Sequence, residues 1–422
     1  MKNIFIVLLL IFSMIQSTEC QSTANYDEAA VPSYELPALL LSQDGEEVNS
    51  VDGWEQVRRS EIYEMLENEM FGKIPDADVT VQYELVDVDQ EALGGKAIRK
   101  QIRMNCSNDN GDIEVLILAY LPKTDGPSPV FVGYNFFGNQ SIHADPNILL
   151  TNSWVRNSEQ MGINDNTASE ASRGKRDHRW DLDAILGSGY GLVTIYYGDV
   201  DPDIDDFSDG IHKLFYRPGQ TQPVLDEWGS IGAWSWGLSR VMDYLEKDTD
   251  VDREKVIVFG HSRLGKTSLW AGASDDRFAL VISNNSGCGG AALSRRKFGE
   301  TVERINRQFP HWFCDNYNQY SDNESNMPFD QHMLIALAAP RPIYVASAAE
   351  DLWADPKGEF LSCVEATSVY NLYGLNGIKD RAMPEVNSPI HSSIGYHIRT
   401  GIHDVTAYDW NQYIQFADLH LK

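Results

Sequence analysis

Short, fully apolar runs recur along the chain, and polar or amphipathic segments separate them. Such a run is typical of a strand that is buried on both faces of a sheet. The runs predict strands at residues 130–134, 191–197, 256–259, 278–283, 342–348 and 394–399. Two earlier runs, at residues 79–86 and 113–120, are bounded by glycine-containing turns and predict antiparallel strands. Strands that alternate with helices indicate an α/β fold, with one mostly parallel central sheet flanked by helices in a three-layer sandwich.

Helical patterns occupy residues 60–71, 181–186 and 228–245, and the last of these carries three tryptophans that predict a core helix. By contrast, residues 140–179 are polar and poor in strand signals. This stretch follows a central strand, so it is expected at the sheet end where α/β proteins bind ligands. Loops of this length inside a compact domain are usually functional or disordered. We therefore expect a long active-site loop insertion at about residues 140–179.

A second polar segment, residues 199–206, reads DVDPDIDD. Alternating aspartates suit a calcium-binding loop, but the glycine and the closing glutamate of an EF-hand are missing. The pattern therefore favours a solvated loop.

The N-terminal sequence and the net charge indicate the location of the protein and the classes of partner that it does not bind. Residues 1–21 contain an apolar core after one lysine, which predicts a secretory signal peptide that is too short to span a membrane. We expect export to the periplasm or the cell exterior, and a single domain over residues 22–422. The formal net charge of −28 argues against nucleic acid and against an anionic membrane as partners. A monomer is expected.

Beyond Cys20 the chain has Cys106, Cys288, Cys314 and Cys363. An exported chain can pair them, but four cysteines allow three pairings, and the sequence does not choose among these. Their spacing suits no metal site.

The stretch VIVFGHSRLGKTSLW, residues 256–270, joins a buried strand to a helix through a glycine-flanked serine. Gly260 and Gly265 allow the chain to reverse tightly without a Cβ clash. The turn lifts Ser262 clear of the sheet edge to a helix N-terminus, where an alkoxide is favoured. The spacing G-x-S-x-x-G is one residue longer than the usual nucleophile elbow, so a structural turn is the competing interpretation.

A serine nucleophile needs a base to take its proton and an acid to orient that base. In α/β-hydrolases both follow the serine along the chain, the acid first and the histidine last. His403 lies just past the last predicted strand, where such a base belongs. His397 lies within that strand and His391 before it, which makes them weaker candidates.

Three carboxylates follow the predicted strand at residues 342–348, in the sequence AAEDLWADP. Asp351 lies a few residues past the strand end and is the best placed acid. Glu350 is its neighbour, but adjacent side chains of an extended chain point in opposite directions. Asp355 precedes a proline and suits the cap of the next helix.

The segment GHSRLGK resembles the G-C-S-R-x-G-K motif of the glucuronoyl esterases, carbohydrate esterase family 15. Further segments resemble the bacterial branch of this family, from about residue 129 to the C-terminus: EWGSIGAWSWGLSR, NNSGCGGAAL, MPFDQH, AAPRP and the region of His403. The resemblance implies an α/β-hydrolase fold over one catalytic domain. It also implies hydrolysis of the ester that joins (4-O-methyl)glucuronic acid on glucuronoxylan to lignin alcohols, with no metal or organic cofactor.

The resemblance implies roles at matching positions. Ser262 is the nucleophile and His403 the base, and Arg263 supports the oxyanion beside backbone N–H groups, where its charge stabilises the tetrahedral state. A surface arginine is the structural alternative for that position.

Three further residues match positions that contact the sugar. Lys266 resembles the lysine that binds the uronate ring hydroxyls, and it lies four residues after Ser262 on the same helical face. Glu300 and Trp353 match the sugar-contacting glutamate and tryptophan of the family. A core tryptophan is the alternative for Trp353.

The chain departs from the family pattern in two places. Asn285 stands where many members have the acid of the triad, so the acid is expected in the later loop, at Asp351. His261 and Asp404 replace the two cysteines that form a bridge in the fungal enzymes, so another clamp must hold the elbow to the histidine loop.

Two other functions fit parts of the pattern. An esterase that removes acetyl groups from xylan uses the same triad but does not require Lys266, Glu300 and Trp353. An inactive, carbohydrate-binding exported protein does not need Ser262, Asp351 and His403 to be aligned.

Overall fold

The computed structural model describes residues 24–422, so the predicted signal peptide lies outside it. Nine strands form one sheet in the order β1-β2-β3-β5-β4-β6-β7-β8-β9. The strands are β1 (Thr80–Glu91), β2 (Ala97–Asn108), β3 (Gly111–Pro122), β4 (Ser128–Asn135), β5 (Gly191–Tyr196), β6 (Val251–His261), β7 (Leu280–Asn284), β8 (Ile343–Ala348) and β9 (Ile394–Arg399).

The first part of the sheet is antiparallel, and the rest is parallel. β1, β2 and β3 pair as antiparallel neighbours, and β3 pairs in the same way with β5. From β5 through β4 and β6 to β9 every pairing is parallel. The carboxyl ends of these parallel strands therefore meet at one edge, and the loops that leave them build the site.

Eleven helical segments lie within residues 24–422: α1 (Val51–Gly53), α2 (Arg59–Leu66), α3 (Ala92–Gly95), α4 (Leu182–Gly187), α5 (Tyr197–Val200), α6 (Ser230–Leu245), α7 (Arg263–Ser274), α8 (Val302–Gln308), α9 (Gln331–Ala336), α10 (Pro356–Leu372) and α11 (Ala407–Leu421). π-helical turns flank α2, at Trp54–Arg58 and Glu67–Phe71. In this described part, none of the helices has both the length and the apolar character needed to cross a membrane.

Two hydrophobic cores cover the two faces of the sheet. In β6, Val256 and Val258 belong to one core and Ile257 and Phe259 to the other, as the two-residue period of a strand requires. Residues of α6, α7, α9 and α10 fill the first core, and residues of α4 and α11 fill the second. This arrangement is the predicted three-layer α/β sandwich.

Most predicted elements are present, with shifted ends. The pattern at residues 394–399 matches β9, and residues 228–245 contain α6; the three tryptophans of that stretch are buried as expected, Trp228 just before the helix and Trp234 and Trp236 within it. Residues 140–179 form three short 3-10 turns and bury several apolar side chains, among them Ile148 and Met161. The cysteines of the described part, Cys106, Cys288, Cys314 and Cys363, are buried free thiols.

The prediction of a solvated loop at residues 199–206 is wrong for its first three aspartates. Asp199, Asp201 and Asp203 are buried and accept hydrogen bonds from other parts of the protein. Only the end of the segment, Asp205 and Asp206, is exposed. Alternation of aspartates does not reveal burial, because the donors that compensate for it come from distant segments.

Candidate active site

Ser262 lies in a strained turn between β6 and α7. Its backbone φ is 60° and ψ is −130°, which a non-glycine residue adopts only where the surroundings enforce it. A Cβ at Gly260 would lie 1.8 Å from the carbonyl oxygen of Leu264, so only glycine fits before the turn. At Gly265 the approach is less close, and a Cβ there would lie 3.0 Å from the Cβ of Ser286. The longer spacing therefore still forms a nucleophile elbow.

His403 and Asp351 meet beside this serine. Nδ1 of His403 donates a hydrogen bond of 2.5 Å to Oδ2 of Asp351, within the distance expected for the acid of a triad. The same oxygen accepts a bond of 2.8 Å from Nδ2 of Asn285. This arrangement leaves Nε2 of His403 for Ser262, which lines the same cavity.

The competing residues do not contact His403 in this way. Glu350 is exposed, whereas Asp351 is buried. Asp355 caps α10 through the backbone N–H of Gly358, as its position before a proline suggests. His397 is buried in β9, where its Nε2 lies 2.9 Å from Oδ1 of Asp409.

A ring contact joins the elbow to the loop of His403, and Arg399 of β9 holds that loop. The ring of His261 packs against the ring of His403 with centroids 4.5 Å apart. Burial keeps the pKa of His261 well below its usual value, so this neighbour is neutral. Arg399 donates to the carbonyl oxygens of Ile402 and Asp404 on either side of His403.

Arg263 is mostly buried, so the interpretation as a surface arginine is wrong. Its side chain is 16% exposed and its Nη1 donates to Asp203. The guanidinium lies 4.7 Å from the ring centre of Trp312. Arg263 is also the first residue of α7, so its backbone N–H has no partner within the helix. Both the guanidinium and this N–H can serve an oxyanion.

Lys266, Glu300 and Trp353 lie together in the cavity. Nζ of Lys266 donates a 2.5 Å bond to the carbonyl oxygen of Ser286 and lies 3.8 Å from Oε2 of Glu300. Burial lowers the pKa of Lys266 and raises that of Glu300, and each charge opposes the shift of the other. Trp353 is partly exposed instead of packed in the core, and its side chain bonds to Glu300.

All seven predicted site residues line one cavity of about 270 Å³. Its remaining lining residues were not predicted as site residues: Asn285, Ser286, Gly287, Phe309, Trp312 and Ala354. The sequence carries a signal for Asn285 alone, because it occupies the family position of an acid. Phe309 and Trp312 stack with their ring centres 3.8 Å apart, but nothing in their spacing distinguishes them from core aromatics.

Comparisons with known proteins identify relatives of this chain. A family model described as "Glucuronyl esterase, fungi" matches residues 212–374. Carbohydrate esterase MZ0003, from an unknown prokaryotic organism, is 52% identical over 401 residues, which cover 94% of this chain and 92% of that protein.

Two solved structures superpose on nearly the whole chain. A promiscuous CE15 esterase from the marine bacterial metagenome does so with a TM-score of 0.89 and 52% identity, covering 94% of this chain and 100% of the other. The glucuronoyl esterase from Solibacter usitatus has a TM-score of 0.88 and 46% identity, covering 93% and 100%. Similarity of this extent confirms the resemblance: the chain belongs to carbohydrate esterase family 15, and it is a carboxylic ester hydrolase with the α/β-hydrolase fold.

Proposed function

We propose that the protein hydrolyses the ester bond between (4-O-methyl)glucuronic acid side chains of glucuronoxylan and lignin alcohols. One observation carries this proposal. The cavity that holds Ser262, His403 and Asp351 also holds a buried Lys266–Glu300 pair and two indole rings. An acetyl group on the acyl side of the ester needs none of these, whereas a glucuronoyl group on that side needs hydrogen-bonding groups and flat apolar surfaces for its sugar ring.

In the proposed reaction, Oγ of Ser262 attacks the ester carbonyl while Nε2 of His403 takes its proton. Asp351 keeps Nδ1 of His403 protonated and stabilises the imidazolium. The backbone N–H and the guanidinium of Arg263 stabilise the oxyanion of the tetrahedral intermediate. His403 then gives the proton to the departing alcohol, which leaves the acyl group on Ser262. Water attacks this acyl-enzyme while His403 takes its proton, and the proton passes to Oγ of Ser262 as the acid leaves.

The carboxyl group of the substrate is esterified and therefore uncharged. The cavity must then select the substrate through contacts with its sugar ring. The Lys266 ammonium has three N–H groups, of which one is used by Ser286, so others are available for ring hydroxyls. Glu300 can accept hydrogen bonds from the same hydroxyls, and the ring of Trp353 can pack against the sugar face. We propose these three as the substrate-binding residues.

A second activity has support from one relative. The CE15 esterase from the marine metagenome is described as promiscuous, and it shares 52% of its residues with this chain. Promiscuity in a relative supports a wider range of esters for this protein, and acetyl esters of xylan, which the same triad can cleave, are the second candidate substrate.

The test measures hydrolysis of benzyl glucuronate, acetylated xylan and p-nitrophenyl acetate by the purified protein. The proposal predicts a kcat/KM for benzyl glucuronate well above the values for both acetyl esters. Comparable values for all three would support a general esterase, and activity on acetylated xylan alone would contradict the proposal.

We further propose that the protein is exported as a monomer and acts on polysaccharide, with neither nucleic acid nor membrane as a partner. The apolar segment at the start of the sequence and the net charge of −28 support this.

We also propose that residues 22–422 form one catalytic domain, with an active-site loop at about residues 140–179. The bond from Arg156 of that loop to Asp203, which contacts Arg263, supports the second proposal.

A further inference from the structure

Asp203 lies beneath the proposed oxyanion site, in the acidic segment that follows α5. Its side chain is fully buried, with 0% of its surface exposed. A carboxylate removed from water in this way is costly unless donors within the protein replace the lost hydration.

Five side chains donate to this one carboxylate. Oδ1 accepts a 2.7 Å bond from Nε1 of Trp312 and a 3.0 Å bond from Nε2 of His311. Oδ2 accepts bonds from Nη1 of Arg263, from Nη2 of Arg156 at 3.3 Å and from the hydroxyl of Tyr197 at 3.2 Å. Burial lowers the pKa of His311 to about 4, so this imidazole stays neutral near pH 7.

Two of these donors line the catalytic cavity, and Asp203 fixes both at once. It holds the guanidinium of Arg263 through Nη1 and the indole of Trp312 through Nε1, and the guanidinium lies over that indole. Within residues 24–422, the Arg263 side chain makes one hydrogen bond, the bond to Asp203. The buried Nε of Arg263 has no hydrogen-bond partner in this part of the chain. The guanidinium also packs against the rings of Phe136, Phe309 and Trp312, so Asp203 supplies the directional hydrogen bond that orients it between them.

We infer that Asp203 is a positioning residue for catalysis, which acts by aiming Arg263 at the developing oxyanion. This inference rests on the proposed role of Arg263. A preorganised donor stabilises the transition state because it does not need to reorient during the reaction. Asparagine at position 203 would keep the volume but remove the charge, and it would present either a neutral oxygen or an amide N–H to Arg263. Either contact holds the guanidinium less firmly.

The experiment is a double-mutant cycle of Asp203→Asn and Arg263→Ala, with kcat and KM for benzyl glucuronate and with thermal unfolding of each variant. We expect Arg263→Ala to lower kcat by roughly 100-fold to 1000-fold, as the loss of an oxyanion donor does. Asp203→Asn should lower kcat by at least about tenfold with KM changed less than about twofold, because the contact matters in the transition state. The double variant should be no slower than Arg263→Ala alone. Losses that multiply would overturn the inference.

Asp201→Asn is the matched control. Asp201 is a buried aspartate two residues away that accepts a bond from Ser230 and has no bond to Arg263. In that background Arg263→Ala should cost the same factor as in the wild-type protein. If Asp203→Asn does not fold, Tyr197→Phe removes a single hydroxyl that donates to Oδ2 of Asp203. Its loss of kcat should disappear once Arg263 is alanine, and a loss that persists there would contradict the inference.

The outcome is separable from that of the proposed function. Failure of the proposed function would appear as absent turnover of glucuronate esters by the wild-type protein. Failure of this inference would appear as independent losses in a protein that does turn them over.

Discussion

At the scale of single residues, the site depends on one carboxylate oxygen that serves two neighbours. Oδ2 of Asp351 accepts from both His403 and Asn285. Asn285 stands where the family resemblance implies an acid, and here it donates to Asp351, the acid of the proposed triad. The asparagine thus fixes the rotamer of Asp351, and Asp351 fixes the tautomer of His403.

Asp351→Asn should lower kcat by roughly three to four orders of magnitude, because an amide can impose the wrong imidazole tautomer and cannot stabilise the imidazolium. The matched control is Glu350→Gln, an exposed neighbour, which should cost little. Both are measured as kcat on benzyl glucuronate, with thermal unfolding to check the fold. A reversed pattern would assign the acid to Glu350.

Ser262→Ala should abolish esterase activity and leave the fold intact, with a loss of several orders of magnitude. Activity and thermal unfolding are measured on the same preparation. Turnover well above background in a folded variant would remove Ser262 as the nucleophile.

Some site residues could be predicted from a local pattern, whereas Arg263, Lys266, Glu300 and Trp353 were predicted from the family resemblance. Ser262 has its glycines, and His403 and Asp351 follow predicted strands. Asp203 and Trp312 could not be predicted in this way, because their contact joins positions 109 residues apart in the chain. Only the folded protein shows that a polar segment supplies a buried anion to the site.

At the scale of elements, the hydrophobic pattern predicts the parallel strands well because each is apolar on both faces. The pattern does not predict β2 as a separate strand. The charged and apolar residues of β2, which lie between two turns, alternate with no uniform period. The helix α10 also contributes a buried polar residue, which its sequence pattern does not predict. Its Glu359 is fully buried and accepts bonds from Ser347 of β8 and from the backbone of Gly287 in the loop after β7.

Glu359 should make the protein less stable as the pH rises. Burial raises the pKa of Glu359 to about 8, and the nearby Asp351 adds to this shift. The folded state then holds the proton more tightly than the unfolded chain, where the pKa is the ordinary value of 4.5. Stability from this group is full below about pH 4.5 and is lost as the pH rises through about 8, by up to about 1.4 kcal/mol per pH unit.

The measurement is the free energy of unfolding of the wild-type protein and of Glu359→Gln between pH 5 and pH 9. The difference between them should shift in favour of the variant as the pH rises. Glu365→Gln, on the same helix and paired with Arg381 near the surface, is the matched control for the replacement of a glutamate on α10. A constant difference for Glu359→Gln would show that its carboxyl does not titrate between the two states in this range.

At the scale of the whole molecule, a chain of net charge −28 gains nothing from long-range attraction to an acidic polymer. Recognition must then come from the cavity itself. Two cations, Arg263 and Lys266, face two acids, Glu300 and Asp351, so the cavity is balanced within a negative protein. This balance suits an uncharged ester with ring hydroxyls, and it places the burden of selectivity on Lys266 and its partners.

The most direct test of the central claim is the ratio of kcat/KM for benzyl glucuronate to that for p-nitrophenyl acetate, in the wild-type protein and in Lys266→Ala. If Lys266 binds the sugar, the substitution should lower activity on the glucuronate far more than on the acetate. The ratio should then fall by at least about tenfold, because the sugar loses a hydrogen bond to a charged group. If Lys266 only supports the loop at Ser286, both activities should fall together, and an unchanged ratio would contradict the account.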